Sequence, residues 1–430
     1  MQTTLPNRLF VRNRAHLAAL LPPKSIAVFT ANEPMPRNGD EFYPFRQQSD
    51  FFYLTGIDAE NAFLLIAPDY PDESLREVLF IEPYDEVKAT WQGEMLDARQ
   101  ATDLSGIQTV KGSDAFWMTL NDFAFSGYGD TLFLNSYEYP KYECAVETLQ
   151  QRFVKEVKER YPMHHYGRTA PLLNALRMVK SDEEIDITRH ACNITSKAFR
   201  RCLDTVKPGM YEYEVQAEIE YIFKQNNATG HAYAPIIAGG KNACCLHYSK
   251  NQSLLHDGDL LLFDIGCEYG NYASDLSRTI PVNGRFTERQ KQCYNAVLRV
   301  MKQITQLYRP GGCINQINET THRLMEQEMI QLGLFTEEDV KRQDPDHPLE
   351  RKYLMHGMSH HIGLDVHDSI DKFKPFAPGM ILTCEPGIYI REEGIGIRIE
   401  NDLLITEGAP INLFEGLPIE IEEIEAAMQR

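Results

Sequence analysis

Residues 258–266 read Gly-Asp-Leu-Leu-Leu-Phe-Asp-Ile-Gly, and residues 379–387 read Gly-Met-Ile-Leu-Thr-Cys-Glu-Pro-Gly. Each begins and ends on glycine, runs through apolar residues, and places an acid at the same point, Asp264 or Glu385. A short apolar run bounded by glycines predicts a buried strand. A carboxylate inside such a strand resists ionisation unless a cation stands close to it.

The match extends outward from the strands. A helix ending in Val206-Lys207-Pro208-Gly209, followed by a second helix over 212–225, recurs as a helix ending in Tyr308-Arg309-Pro310-Gly311, followed by another over 314–331. Helix, helix and acid-bearing strand in the same order predict an internal duplication. The connection from helix to strand is longer in the second copy. It contains most of His356-Gly-Met-Ser-His-His-Ile-Gly-Leu-Asp-Val-His-Asp368.

Each strand leads to a second acid. Asp275 follows a turn at Tyr269-Gly270-Asn271, which places it directly opposite or diagonal to Asp264 in a hairpin. Glu400 follows Glu385 after a bend at 390–394. One Asp beside a turn is ordinary backbone capping. Four acids in apolar strands at duplicated positions need a shared counter-charge, and so predict a site for two divalent ions. A carboxylate-rich set with one imidazole suits Mn²⁺ better than the Cys- or His-rich sets of Zn²⁺ or Cu²⁺.

The repeat also sorts the histidines. His247 and His367 lie 11 and 12 residues ahead of Gly258 and Gly379 and belong to the duplicated frame; His356 and His360 lie outside it and give the pair its asymmetry. The i, i+4 spacing of His356 and His360 matches that of zincins, but the glutamate of HExxH is absent. His361 has no repeat partner and is read as structural, as are His16, His164, His165, His190, His231, His256, His322 and His347.

The rest of the chain supplies the setting. At 430 residues the chain exceeds what one core usually organises, so two domains are expected. Residues 1–170 alternate short apolar strands (SIAVF, NAFLLIA, EVLFIEP, TLFLN) with helical stretches such as 142–160, an α/β pattern; residues 171–430 hold the duplicated unit. A formal charge of −19 argues against a nucleic-acid partner. Nine cysteines without CxxC spacing fit reduced thiols and a cytoplasmic protein. The basic, acid-free first 32 residues run straight into the strand at Ser25 and are read as part of the fold rather than a transit peptide. No apolar run is long enough to span a membrane.

These residues resemble the pita-bread metallopeptidases, and nearly the whole chain is similar to the aminopeptidase P family. The likeness is carried by Tyr43-PFRQQSDFFYLTG56, Ala89-Thr-Trp-Gln-Gly93, Leu176-RMVKSDEEI185, residues 239–251, Asp264 to Asp275, the histidine-rich segment, and Glu385-PGIYI through Arg398-IEND402. It implies an α/β amino-terminal domain joined to an α+β pita-bread catalytic domain with a pseudo-two-fold axis. The implied metal ligands are Asp264, Asp275, His360, Glu385 and Glu400, holding two divalent ions, Mn²⁺ foremost with Zn²⁺ or Co²⁺ as alternatives.

The resemblance further implies hydrolysis of an amino-terminal Xaa-Pro bond by a hydroxide bridging those ions. Glu385 would carry the proton, His247 and His367 would bind substrate and steady the oxyanion, and His356 and Arg398 would wall the scissile bond, with Trp91 and Tyr389 as pocket aromatics. Peptides with proline at position two are the implied partners, and a homodimer or homotetramer the implied assembly. The chain departs from the family pattern in a shorter bend between Glu385 and Glu400 and in His361, where an aromatic is often found. Ser359 favours an aminopeptidase P over a prolidase; a metal-free creatinase-like enzyme or a binding module would not need the full ligand set.

Overall fold

The computed structural model describes residues 5–136, 138–139, 146–368 and 371–429. Two compact units, Met1–Arg177 and Met178–Arg430, make up the chain.

In the first unit the strand Ser25–Thr30 is buried at every position. It pairs antiparallel with Phe63–Ile66 and parallel with Thr131–Leu134. Outside these lie Glu77–Ile81 with Thr109–Gly112 on one flank and His165–Arg168 on the other, six strands in all. Phe116 stacks on Phe63 at 4.2 Å and meets Phe80 edge-on at 5.3 Å, which seals one face of this sheet. The helix expected over 142–160 occupies Leu149–Arg160, started by a capping box between Thr148 and Gln151; residues 142–145 and Cys144 among them lie outside the described residues.

The second unit is built from two helix pairs and two sets of antiparallel strands. Asp182–Thr205 with Glu212–Gln225 form the first pair, and Glu288–Thr305 with Ile314–Gln331 the second. Ser181 and Glu184 cap the first helix reciprocally, and Thr287 and Gln290 cap the third. Ile187, Ala191, Ile194, Ala198 and Cys202 line the buried face of the first, at the spacing a helix requires.

The duplication is visible in the backbone. Gly209 and Gly311, after the paired helices, have φ of 89° and 90°; Gly258 and Gly379, at the heads of the paired strands, have 86° and 89°. Only glycine takes such angles without strain.

In the first copy Leu260–Ile265 lies between Ile236–Gly239 and Leu276–Pro281. In the second, Ile381–Cys384 pairs with Asn401–Leu404, and Gly387–Ile390 with Ile395–Arg398. The copies join where the Glu400 N–H donates to the Ser277 carbonyl at 3.0 Å and the Arg398 N–H to Thr279 Oγ1 at 3.3 Å. Among the described residues no helix is long and apolar enough to cross a membrane.

Candidate metal centre and active site

Strand register places the acids. Asp264 stands opposite Ser277 on one side and Ile236 on the other. Asp275, two residues before Ser277, is therefore diagonal to Asp264 rather than opposite, and it sits just outside the ladder. Gly266 makes that approach possible: a Cβ there would stand 1.7 Å from the Ser274 carbonyl oxygen. In the second copy the ladder ends at Cys384 and Asn401, so Glu385 and Glu400 leave it together.

The side chains converge. Single ligand atoms of Asp275, His360 and Glu400 all lie within 4.8 Å of one another. His360 Nε2 is 3.5 Å from Asp275 Oδ2 and 3.6 Å from Glu385 Oε1. Arg398 Nη2 donates to Asp264 Oδ2, and its Nε donates to Ser277 Oγ at 2.9 Å. That serine in turn donates to Glu400 Oε2 at 2.7 Å. The Tyr233 hydroxyl lies 2.7 Å from Asp264 Oδ1 and 2.5 Å from Asp275 Oδ1, offering one proton between them.

Burial of so many carboxylates has an electrostatic consequence. Burial first, then the charges of Asp275, Glu385 and Asp264, pushes Glu400 far above the usual carboxylate range. Burial and then the neighbouring acids push Glu385 up to about 7, with His360 opposing. Asp275 is also raised, chiefly by burial. Burial works to lower His360, but the Asp275 hydrogen bond and the charge of Glu385 outweigh it and raise the imidazole to about 9.

These residues fit a divalent metal. His360 Nδ1 lies 3.2 Å from the His361 carbonyl oxygen; a proton donated there leaves Nε2, which faces Asp275 and Glu385, as the nitrogen available to a metal. A hydrogen bond from the other ring nitrogen is what fixes the tautomer of a metal-binding histidine. Hard oxygen donors plus one nitrogen, mutually repelling without a cation, form a donor set for a hard or borderline divalent ion.

Around the acids opens a cavity of about 320 Å³, lined by His247, His356, His360, His367 and Arg398 together with Asp264, Asp275, Glu385 and Glu400. Thus all five expected ligands and four of the expected substrate residues share one cavity. The His367 and His360 rings meet edge-on at 4.5 Å.

Two expected pocket residues are not in the lining of this cavity. Tyr389 is fully buried behind His356 and Arg398, hydrogen-bonded to both, and does not line the cavity. Trp91 projects from the helix Glu86–Gln92 in the other unit, 84% exposed, and is not among the lining residues.

Tyr233, Ser277, Thr383 and Asp402, whose Oδ2 accepts from the Asp275 N–H at 3.0 Å, were not singled out in the sequence. A clue for Ser277 was its place two residues beyond Asp275, on the same strand face. Tyr233 has no comparable signal.

A buried carboxylate cluster with one imidazole, opening into a cavity lined by further histidines, has the donor set and the substrate space that a metal-dependent hydrolase requires. Comparison with known proteins agrees. Residues 186–407 match the model of metallopeptidase family M24, and residues 10–131 that of the aminopeptidase P N-terminal domain. The Xaa-Pro aminopeptidase of Escherichia coli is 35% identical over 97% of both chains, and that of Haemophilus influenzae 34% identical over 99% of this chain and 98% of the relative.

Among solved structures, zinc-substituted Escherichia coli aminopeptidase P in complex with product superposes with a TM-score of 0.87 at 32% identity, covering 99% of each chain. The chain belongs to metallopeptidase family M24 and is built as an aminopeptidase P, an amino-terminal domain followed by a pita-bread domain. It is a metallopeptidase that uses divalent metal ions.

Proposed function

We propose that this enzyme hydrolyses the amino-terminal Xaa-Pro bond of peptides, using two divalent ions held by Asp264, Asp275, His360, Glu385 and Glu400. The observation that carries the reading is the cavity in which those five residues share a wall with His247, His356, His367 and Arg398. Support comes also from relatives named Xaa-Pro aminopeptidase along nearly the whole chain.

Bound there, the ions, Mn²⁺ by preference for a carboxylate-rich set, would supply Lewis acidity and the hydroxide nucleophile that the family resemblance implies, since a divalent ion brings the pKa of water down to about 7. Glu385 reaches the same cavity with Oε1 3.6 Å from His360 Nε2, placed to take a proton from the nucleophile and hand it on, as a general base and acid must. It would pass the proton to the departing prolyl nitrogen.

His356 is held neutral, lowered to about 4 by burial and then by the charge of Arg398, and offers a flat ring to the proline. Proline has no N–H to grip and a fixed φ, so recognition must come from such surfaces. His247 and His367 reach the cavity as donors for the developing oxyanion.

We also assign the enzyme to the cytoplasm as a homodimer or homotetramer. All eight described cysteines are free thiols, in keeping with a reducing compartment. The assembly rests on the family likeness, and sedimentation of the purified chain tests it.

The deciding experiment supplies purified protein with Mn²⁺ and compares Ala-Pro-Ala, Ala-Ala-Ala and Ala-Pro. Cleavage of the first alone, releasing free alanine, is expected. Cleavage of Ala-Ala-Ala with Ala-Pro-Ala left intact would overturn the proline reading, and cleavage of Ala-Pro alone would make the enzyme a dipeptidase.

A further inference from the structure

We propose that Thr383 is a positioning residue that sets the directions of His360 and Glu385 together and thereby governs metal affinity; the inference rests on reading those two residues as ligands. Thr383 is fully buried, in the strand Ile381–Cys384. Its Oγ1 accepts from the His360 N–H at 3.0 Å and donates towards Glu385 Oε1 at 3.3 Å. Its own N–H donates to the His360 carbonyl at 2.9 Å. One residue therefore holds the His360 backbone at both its N–H and its C=O while directing a carboxylate oxygen of Glu385.

The polarity of this arrangement is set by chemistry. A backbone N–H can only donate and an ionised carboxylate can only accept, so the group between them must do both, and a hydroxyl does. Glu385 is tied to the same segment a second time, its N–H donating to the Met358 carbonyl at 3.0 Å, while the Met358 N–H donates to Asn318 Oδ1 at 2.8 Å. With those main-chain bonds fixing where the two backbones lie, the threonine hydroxyl is the hydrogen-bond donor to the Glu385 side chain among the described residues, beside the looser approaches of His360 at 3.6 Å and His356 at 3.8 Å.

The duplication gives an independent argument. Thr383 occupies the place in its strand that Leu262 occupies in the first copy, and Leu262 is a buried apolar residue. The duplicated frame thus accommodates a leucine at this point. The hydroxyl stands only in the copy against which the additional segment His356–His361 is laid, through the bridge between His361 and Leu382. The polar residue and the added histidine occur together, at the one strand where they can touch.

The test uses the full chain stripped of metal by a chelator and titrated with Mn²⁺ in a calorimeter, for Thr383→Val, Thr383→Ser and the unchanged sequence. Valine keeps the shape and loses the hydroxyl; serine keeps the hydroxyl. Thr383→Val is expected to weaken Mn²⁺ binding about 10- to 100-fold, the usual effect of removing an outer-shell partner. Thr383→Ser is expected to bind within about threefold of the unchanged chain, a rescue that lost packing alone would not give.

Equal affinity for Thr383→Val and the unchanged chain, or equal weakening by valine and serine, would overturn the inference. Should the valine variant fail to fold, Thr383→Ala against Thr383→Ser makes the same comparison. His360→Ala is run beside them: unchanged Mn²⁺ affinity in that variant would instead defeat the ligand reading on which the inference stands.

Discussion

Tyr389 and Arg398 meet diagonally across the second hairpin, the tyrosine hydroxyl accepting from Arg398 Nη1 at 2.7 Å. The ladder explains the contact. Tyr389 faces Gly396 and Arg398 faces Gly387, so neither has a side chain across from it, and a Cβ on Gly387 would stand 2.9 Å from the tyrosine oxygen. The same hydroxyl lies 2.8 Å from His356 Nε2. Since His356 Nδ1 faces the Gly357 carbonyl, Nε2 is the acceptor, and the tyrosine holds an arginine and a histidine in fixed relation.

Tyr389→Phe should therefore act by disordering the cavity wall. It removes one hydroxyl and leaves a buried guanidinium N–H unpaired, a loss of about 1–3 kcal/mol in stability. Denaturant titration measures that loss. The accompanying fall in kcat/KM should be roughly tenfold, about 1.4 kcal/mol of transition-state stabilisation, with metal content unchanged.

Glu400→Ala should abolish metal loading and activity together, because Glu400 joins the Asp275 and His360 side of the cluster and accepts from Ser277. Metal analysis of the dialysed protein beside a peptide assay checks both. Full metal content in an inactive variant would remove Glu400 from the ligand set.

The metal-free protein should lose stability as pH rises. Glu385, Glu400 and Asp275 have carboxyl pKa values raised by burial, so their contribution is complete below the unfolded carboxylate value and is lost as each folded-state pKa is passed, which for Glu385 is about 7. His360, raised to about 9 by Asp275 and Glu385 against burial, acts in the same sense: its contribution is present below the usual imidazole value and fades as pH climbs through 9. Metal binding requires those groups deprotonated, so the rise in Tm on adding Mn²⁺ should grow from weakly acid to weakly alkaline pH. Thermal scans with chelator and with Mn²⁺ across that span test the sign.

Lys180→Met should be strongly destabilising. Lys180 Nζ lies 3.0 Å from Asp368 Oδ2, both side chains almost wholly buried, and Asp368 adjoins His367. Removing the lysine takes away the buried cation that faces Asp368, at about 3–5 kcal/mol. The double change Lys180→Met with Asp368→Leu should recover much of that, as read by denaturant titration.

His361→Leu should be neutral or stabilising and leave metal content intact. The ring is fully buried, neither nitrogen has a hydrogen-bond partner among the described residues, and burial first, then Lys180 and His360, lowers it to about 3, so it stays uncharged. Replacing an unpaired buried polar group by a hydrocarbon of similar size removes a desolvation cost of about 1–3 kcal/mol. A loss of bound metal would show that His361 orients its neighbour.

Much of this protein was legible in the amino-acid order. The strands around Asp264 and Glu385, the helix pairs before them and their repetition follow from local patterns: apolar runs, capping residues, and glycines at matched places that the backbone conformation requires. The same repeat singled out the four acids and paired His247 with His367, because a carboxylate in an apolar strand is conspicuous wherever the strand folds.

Tertiary structure alone decided which atoms face each other. Whether Asp275 lies opposite or diagonal to Asp264 depends on how closely the chain at Gly266 approaches Ser274. Ser277 bonds Glu400 because the two hairpins join at that point, more than a hundred residues apart in the chain. Tyr233 reaches two acids at once, and Tyr389 turns from the cavity to brace its wall, through contacts that no local pattern encodes. Secondary structure depends on neighbours in sequence, and so it can be read there; the direction of a hydrogen bond between distant strands depends on register and packing, which exist only once the chain is folded.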